Sequence, residues 1–229
     1  MSREVGNRLI LLIDILSLGI GIYGLLGVVK NELPPYLASG GHWQFLTNIS
    51  LVISLLVFFL GIAAHATKNE KAFTLKNKVH QVATSLEFVV TLVYWPLRLF
   101  LLHLLIKDPS KKIISLPVDL AVHLIPLASL LVDYLVFMPK WTIKREIAFL
   151  ISMCLSVLYY VYLNILIDFE NGGSYPYAFL EVESEVLRFV IVLAVGSIGF
   201  LSTVIVDNLY ELVIGKPREN LHEYEKKVA

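Results

Sequence analysis

Thr47 opens an apolar run at the end of Gly40-Gly41-His42-Trp43-Gln44-Phe45-Leu46-Thr47-Asn48. His123 stands in a second apolar run, one helical turn after Asp119. An alcohol, an imidazole and a carboxylate are the parts that acyl transfer uses: the imidazole takes the proton of the attacking hydroxyl, and the carboxylate orients the imidazole. Asn48, or a free N–H in the first turn of a helix beginning here, would donate to a developing oxyanion. A plain helix-start role suits Asn48 equally well. Arg98 and Arg188 offer a guanidinium to a substrate carboxylate. Asp119 fits either of two partners, the His123 ring or one of these arginines.

These residues lie in a chain built for the bilayer. It has 229 residues, 57% of them hydrophobic and 17% charged, more apolar than a soluble domain of this length carries. The formal net charge of zero gives no basic patch for nucleic acid. A sole cysteine, Cys154, excludes an intrachain disulfide and a Cys-based zinc site. The six histidines are scattered with no H-E-x-x-H, so neither metal nor cofactor is expected.

Six segments match the roughly 20 apolar residues that cross a hydrocarbon core: Leu9–Val29, Phe45–Ala66, Val79–Ile106, Val118–Met138, Ile147–Phe169 and Leu187–Leu212. The expected fold class is therefore all-α: a single polytopic domain over 1–229, a bundle of six transmembrane helices with short tails. The first run is too long for a signal core and is read as a retained span. Pro96 and Arg98 predict a kink or a re-entrant end in the third. Lys and Arg are concentrated in the N-terminal tail, the loops after spans two and four and the C-terminal tail, thirteen residues against four in the opposite loops. This asymmetry predicts that both termini are cytosolic. A multipass chain without an outer domain fits the endoplasmic reticulum membrane.

Polar residues recur at helical spacing within the spans: Thr47, Ser50, Ser54 and Gly61 in the second; His80, Thr84, Glu87, Thr91 and Arg98 in the third; Asp119, His123, Pro126 and Asp133 in the fourth. Each set shares one helix face, and three such faces are expected to meet inside the bundle. His65 and His80 are expected at the cytosolic interface, and Glu87 and Asp133 as an internal ion pair or protonated acids. Thr47 and His123 both fall within about 10 Å of the same interface at 1.5 Å per residue, together with Asp119, Asn48, Arg98, Arg188 and Tyr175. Depth alone does not pair them. Small and hydroxylated residues also serve as helix contacts, which suits a non-enzymatic lipid-binding or scaffolding protein. Asp14, Glu87, Asp133 and Asp207 would suit a proton-coupled carrier, although no inverted repeat accompanies them.

The Gly40–Asn48 element resembles the start of the second span in the androgen-induced gene 1 and androgen-dependent TFPI-regulating protein family. Val118-Asp119-Leu120-Ala121-Val122-His123-Leu124-Ile125-Pro126 with Asp133 is similar to that family's histidine span. Tyr175-Pro176-Tyr177 and Asn208-Leu209 are similar to its C-terminal third. The resemblance implies a multipass membrane hydrolase that cleaves fatty acid esters of hydroxy fatty acids. It places the nucleophile on Thr47 and the catalytic histidine on His123. The partners it implies are the membrane and a lipid substrate with acyl chains.

Overall fold

The computed structural model describes residues 4–107 and 114–214. Their regular structure is helical: α1 (Arg8–Val29), α2 (Leu46–Thr67), α3 (Glu70–Phe100), α4 (Leu102–Leu105), α5 (Leu116–His123), α6 (Ile125–Val132), α7 (Arg145–Leu166) and α8 (Glu185–Ile214), with no strand among the described residues. A π turn, Asp133–Phe137, continues α6. Five helices are long and apolar enough to cross a membrane, and α5 with α6, bent by 41°, makes the sixth crossing. The fold is an all-α polytopic bundle. The tail charges at 1–3 and 215–229, and Lys111 and Lys112, lie outside the described residues.

The chain alternates between two ends. α2, α5 and α8 begin at the end that carries Thr47, called here the site end; α1, α3 and α7 begin at the far end. α1 lies on α2 and α5, α2 on α3, α3 on α8, and α8 on α7. Gly24 sets the α1–α5 approach, since a Cβ there would sit 2.7 Å from Val122 Cγ1. That close contact seats α5, and with it His123.

Four of the expected spans match a helix to within about three residues at each end. The third and fourth differ, for identifiable reasons. α3 starts nine residues early because Asn69 caps it, its side chain accepting from the N–H groups of Lys71 and Ala72. It continues through Pro96 and ends at Leu101 (φ −135°, ψ 46°). The fourth span breaks at Leu124 (φ −135°, ψ −51°), two residues before Pro126, which lacks an N–H and crowds the preceding turn.

The polar faces do meet inside the bundle. Thr47, Ser50, Ser54 and Gly61 are buried, as are His80, Thr84, Glu87, Asp119, His123 and Asp133. Ser54 Oγ donates to Glu87 Oε1 at 2.8 Å. Three far-end expectations need correction. Lys76, counted from sequence among loop cations, is fully buried in α3, its Nζ 3.0 Å from Asp14 Oδ2 and 2.6 Å from Asp133 Oδ2. His80 is fully buried within the bundle rather than exposed at its end. Its Nδ1 sits 3.1 Å from Thr84 Oγ1, and Trp141 Nε1 approaches at 3.3 Å. His65 is buried as well. A capped, longer α3 carries Lys76 and His80 inward, and its Phe73 ring packs against His65 of α2.

Candidate functional site

Gly41 (φ 58°) turns the chain in a region that favours glycine. The short 3-10 turn Gly41–Gln44 follows. Gln44, fully buried, locks that turn by donating from Nε2 to the carbonyls of Leu37 (2.8 Å) and Gly41 (2.9 Å). α2 then starts without a side-chain cap at Phe45. Its first N–H, on Leu46, donates instead to the Tyr177 hydroxyl at 3.1 Å. The Thr47 hydroxyl and N–H face the same phenol oxygen. Thr47 is therefore the second residue of a helix whose opening turn is capped from the α7–α8 loop. Burial pushes the Tyr177 phenol above its ordinary titration range, so it stays a neutral donor.

His123 is the last residue of α5. The break after it frees its carbonyl, which accepts from Thr91 Oγ1 (2.8 Å) and Trp95 Nε1 (3.2 Å) of α3. The imidazole lies flat against Tyr94, ring centroids 3.4 Å apart and planes 2° from parallel. Its Nδ1 is 2.8 Å from Asp119 Oδ1. A carboxylate only accepts, so this bond holds the proton on Nδ1 and leaves the Nε2 lone pair free. Of the partners open to Asp119, His123 is the close one. Arg98 Nε stands 3.6 Å from Asp119 Oδ2, beyond a good hydrogen bond.

Two cavities meet at this point. One, of about 240 Å³, is lined by Thr47, Asn48, His123, Arg98, Tyr94 and Tyr177, with His42, Glu32 and Lys107 further round its wall. The other, of about 310 Å³, is almost wholly apolar and lies among α2, α3, α7 and α8. Thr47, Tyr94, Leu105 and Tyr177 border both.

The residues expected from sequence are thus largely brought together. Thr47, Asn48, Arg98 and His123 face one cavity, with Asp119 behind the imidazole. Asn48 is occupied, its amide donating to the His42 carbonyl at 2.7 Å. Arg188 is elsewhere: its Nε donates to Leu180 O at 2.8 Å, its Nη2 donates to Val182 O, and its guanidinium covers the Tyr175 ring at 4.5 Å. It lines neither cavity, and its role is to fold the loop before α8. Tyr94 and Tyr177 were not singled out by spacing. The Tyr175-Pro176-Tyr177 element was the available signal, but its second tyrosine, not its first, reaches Thr47. Tyr177→Phe should leave the Leu46 N–H without its partner and lower stability by about 1–3 kcal/mol, read as a fall in the unfolding midpoint of the detergent-solubilised protein; an unchanged midpoint would refute the capping role.

A polar cluster at the mouth of a six-crossing helical bundle, opening on an apolar chamber, defines a polytopic membrane protein with a built intramembrane pocket. The chain belongs to the FAR-17a/AIG1-like family, whose model matches residues 9–211. It is similar to the UPF0641 membrane protein YHR140W of Saccharomyces cerevisiae, 32% identical over 86% of this chain and 89% of the relative. It is also similar to the UPF0641 membrane protein PJ4664.05 of Schizosaccharomyces pombe, 29% identical over 60% and 61% of the two chains. No solved structure matches it.

Proposed function

We propose that this protein is a membrane-embedded lipid ester hydrolase that cleaves fatty acid esters of hydroxy fatty acids, with Thr47 as nucleophile and His123 as base. The observation that carries the reading is the shared cavity. One threonine hydroxyl and one imidazole, the latter held in a single tautomer by Asp119, line the same pocket. An ordinary threonine hydroxyl is a weak nucleophile, and a positioned base is what it needs.

Thr47 Oγ attacks the ester carbonyl while His123 Nε2 takes its proton. The tetrahedral oxyanion collapses, the ester C–O bond breaks, and His123 returns the proton to the departing hydroxy fatty acid. A water then attacks the acyl-threonine, giving its proton to His123, and the fatty acid leaves as Thr47 recovers its hydrogen. Oxyanion stabilisation falls to donors already at Thr47. The Tyr177 phenol is one, and the Leu46 and Thr47 N–H groups that now face it are the others. Arg98 is the cation of this cavity best placed for the free carboxylate of the substrate. Lys107 lines the cavity too, but it is held by Glu181 at 3.0 Å.

Lys68, Lys71, Lys78, Lys140, Lys144 and Arg145 gather at the far end. With the positive-inside tendency they support a cytosolic far end with both termini on that side. Thr47 would then sit near the lumenal face of the endoplasmic reticulum membrane. A hydrolase-directed activity-based phosphonate tests the nucleophile. Labelling should disappear in Thr47→Ala and persist in Ser50→Ala, whose hydroxyl donates to the Thr47 carbonyl at 3.0 Å. Labelling that survives in Thr47→Ala would remove the threonine from the chemistry.

A further inference from the structure

Deepening the hydrolase reading, on which its chemistry rests, we infer that the apolar chamber is the binding site for one long acyl chain of a bilayer lipid, which reaches Thr47 sideways through a gap between α2 and α7. α7 packs along α8 and makes no comparable contact with α2 or α3. Toward the α2 and α3 side, its hydrogen bonds among the described residues lie in its last two turns and just before its first. At the site end, the Tyr159 hydroxyl donates to Gln44 O (2.7 Å) and the Tyr162 hydroxyl to Trp43 O (3.3 Å). At the far end, the Thr142 N–H, just before α7, donates to Asn77 Oδ1 of α3 at 3.1 Å. Between these ties the helices stand apart, and the chamber fills the separation.

The walls of the gap are apolar: Ile49 and Ile53 on α2, Val89 on α3, Leu155 and Leu158 on α7. Leu158, a wall residue of α7, is 62% exposed, and the chamber is only partly enclosed. An apolar void forfeits dispersion contacts on every wall and is a poor place for water. In a bilayer the material at hand to fill it is hydrocarbon. Its length suits a whole chain. Along α3 the lining runs from Tyr94, beside His123, to Gln81, thirteen residues further from the site end, which is about 20 Å at 1.5 Å per residue. Half of a hydrocarbon core of roughly 30 Å is about 15 Å, the depth that a leaflet chain occupies. At its far end the chamber is lined by Gln81, Ser85 and Thr203 together with Ile143 and Ala148. Thr47 stands where the chamber meets the polar cavity. The ester carbonyl would rest there, with its acyl part in the chamber and its charged alcohol part among Arg98 and His123.

Thr47→Ala protein in phosphatidylcholine vesicles, given a palmitoyl ester of hydroxystearic acid with a mid-chain diazirine on its palmitoyl part, reads occupancy without turnover. Photolabel should fall on segments 82–93 and 148–158, be displaced by unlabelled ester, and be lost in the Leu155→Trp background. Label confined to outward residues such as Leu12 and Leu212 would overturn the chamber assignment, even if the wild type hydrolyses the ester. Chamber labelling with an inactive wild type would instead overturn the hydrolase reading and leave the lipid site standing. In otherwise wild-type protein, Leu155→Trp should cut palmitoyl ester hydrolysis at least about 10-fold, because several buried methylenes lose their place, while butyryl ester hydrolysis stays within about two-fold. Equal losses on both esters would overturn the chain-binding role.

Discussion

Thr47→Ala and His123→Ala, each purified in detergent and assayed on a fatty acid ester of a hydroxy fatty acid, are expected to lose kcat/KM by at least about 10²–10⁴-fold. The double variant should be no worse than the poorer single one. This follows from the roles assigned. The hydroxyl gains reactivity only when its proton has a place to go, and the imidazole contributes only when there is an alcohol to activate, so their effects do not add. Asp119→Asn is the informative companion. An amide can donate to Nδ1 and hold the ring in the wrong tautomer, with its lone pair turned away from Thr47. Its loss should therefore appear mainly in kcat. Ser50→Ala, one turn deeper on the same face of α2, controls for a general loss of polar packing and should keep its rate within a few-fold. Wild-type hydrolysis that persists undiminished in both Thr47→Ala and His123→Ala would end the assignment.

Much of this was legible before any coordinates. Apolar runs long enough for a bilayer leave few alternatives to helices, because every backbone polar group must be satisfied within the segment. Polar residues at helical spacing then have to face inward. That logic carried Thr47, Ser50 and Ser54 to the interior, and Asp119 and His123 onto one face. It failed where a residue's partner comes from a distant loop or from another turn of the same helix. Tyr177 is one hundred and thirty residues from Thr47, and no period links them. Tyr94 lies on the α3 face toward His123 but reads from sequence as one more membrane aromatic. Arg188 looked like a substrate ligand because it stands at the start of an apolar run. Its carbonyl partners, Leu180 and Val182, belong to an irregular loop that pattern reasoning cannot fold. Lys76 misled for a related reason. The sequence places it in a run of lysines between two spans, and only the Asn69 cap extends α3 far enough outward to draw it inside.

The same burial weakens the carrier reading. A proton-coupled carrier needs acids free to load and unload along a route. Here Asp14 and Asp133 are both held by Lys76. Asp207 is held by Arg145 at 3.1 Å and Lys140 at 3.5 Å. Glu87 is bound by Ser54. Three of the four acids stand in ion pairs that join elements and the fourth is hydrogen-bonded to a serine, while the pocket chemistry is gathered at the opposite end of the bundle.

Those ion pairs set the largest stability effect expected in the molecule. Lys76 bonds both Asp14 of α1 and Asp133 of the π turn, and all three side chains are almost wholly out of reach of solvent. Gly61 of α2 covers them, so closely that a Cβ there would fall 1.9 Å from Asp14 Oδ2. Lys76→Met preserves the length of the side chain but leaves two carboxylates facing each other in a low-dielectric interior. Breaking a buried pair in this way costs about 3–5 kcal/mol, and here both carboxylates lose the same partner. The unfolding midpoint of Lys76→Met, measured by denaturant titration in detergent, should fall accordingly. Removing the charges together changes the sign of the argument. In Asp14→Asn/Lys76→Met/Asp133→Asn no ion remains to be desolvated, and replacing a buried ion cluster by neutral groups of similar volume is often close to neutral. The triple variant should therefore be more stable than Lys76→Met alone, although it carries two further substitutions. A triple variant less stable than the single one, or a Lys76→Met midpoint equal to wild type, would mean that the ammonium does not hold α1, α3 and the π turn together. The proposed hydrolytic site offers an independent readout: Lys76→Met that remains folded should keep its KM for the ester, because Asp14, Lys76 and Asp133 do not line the Thr47 cavity.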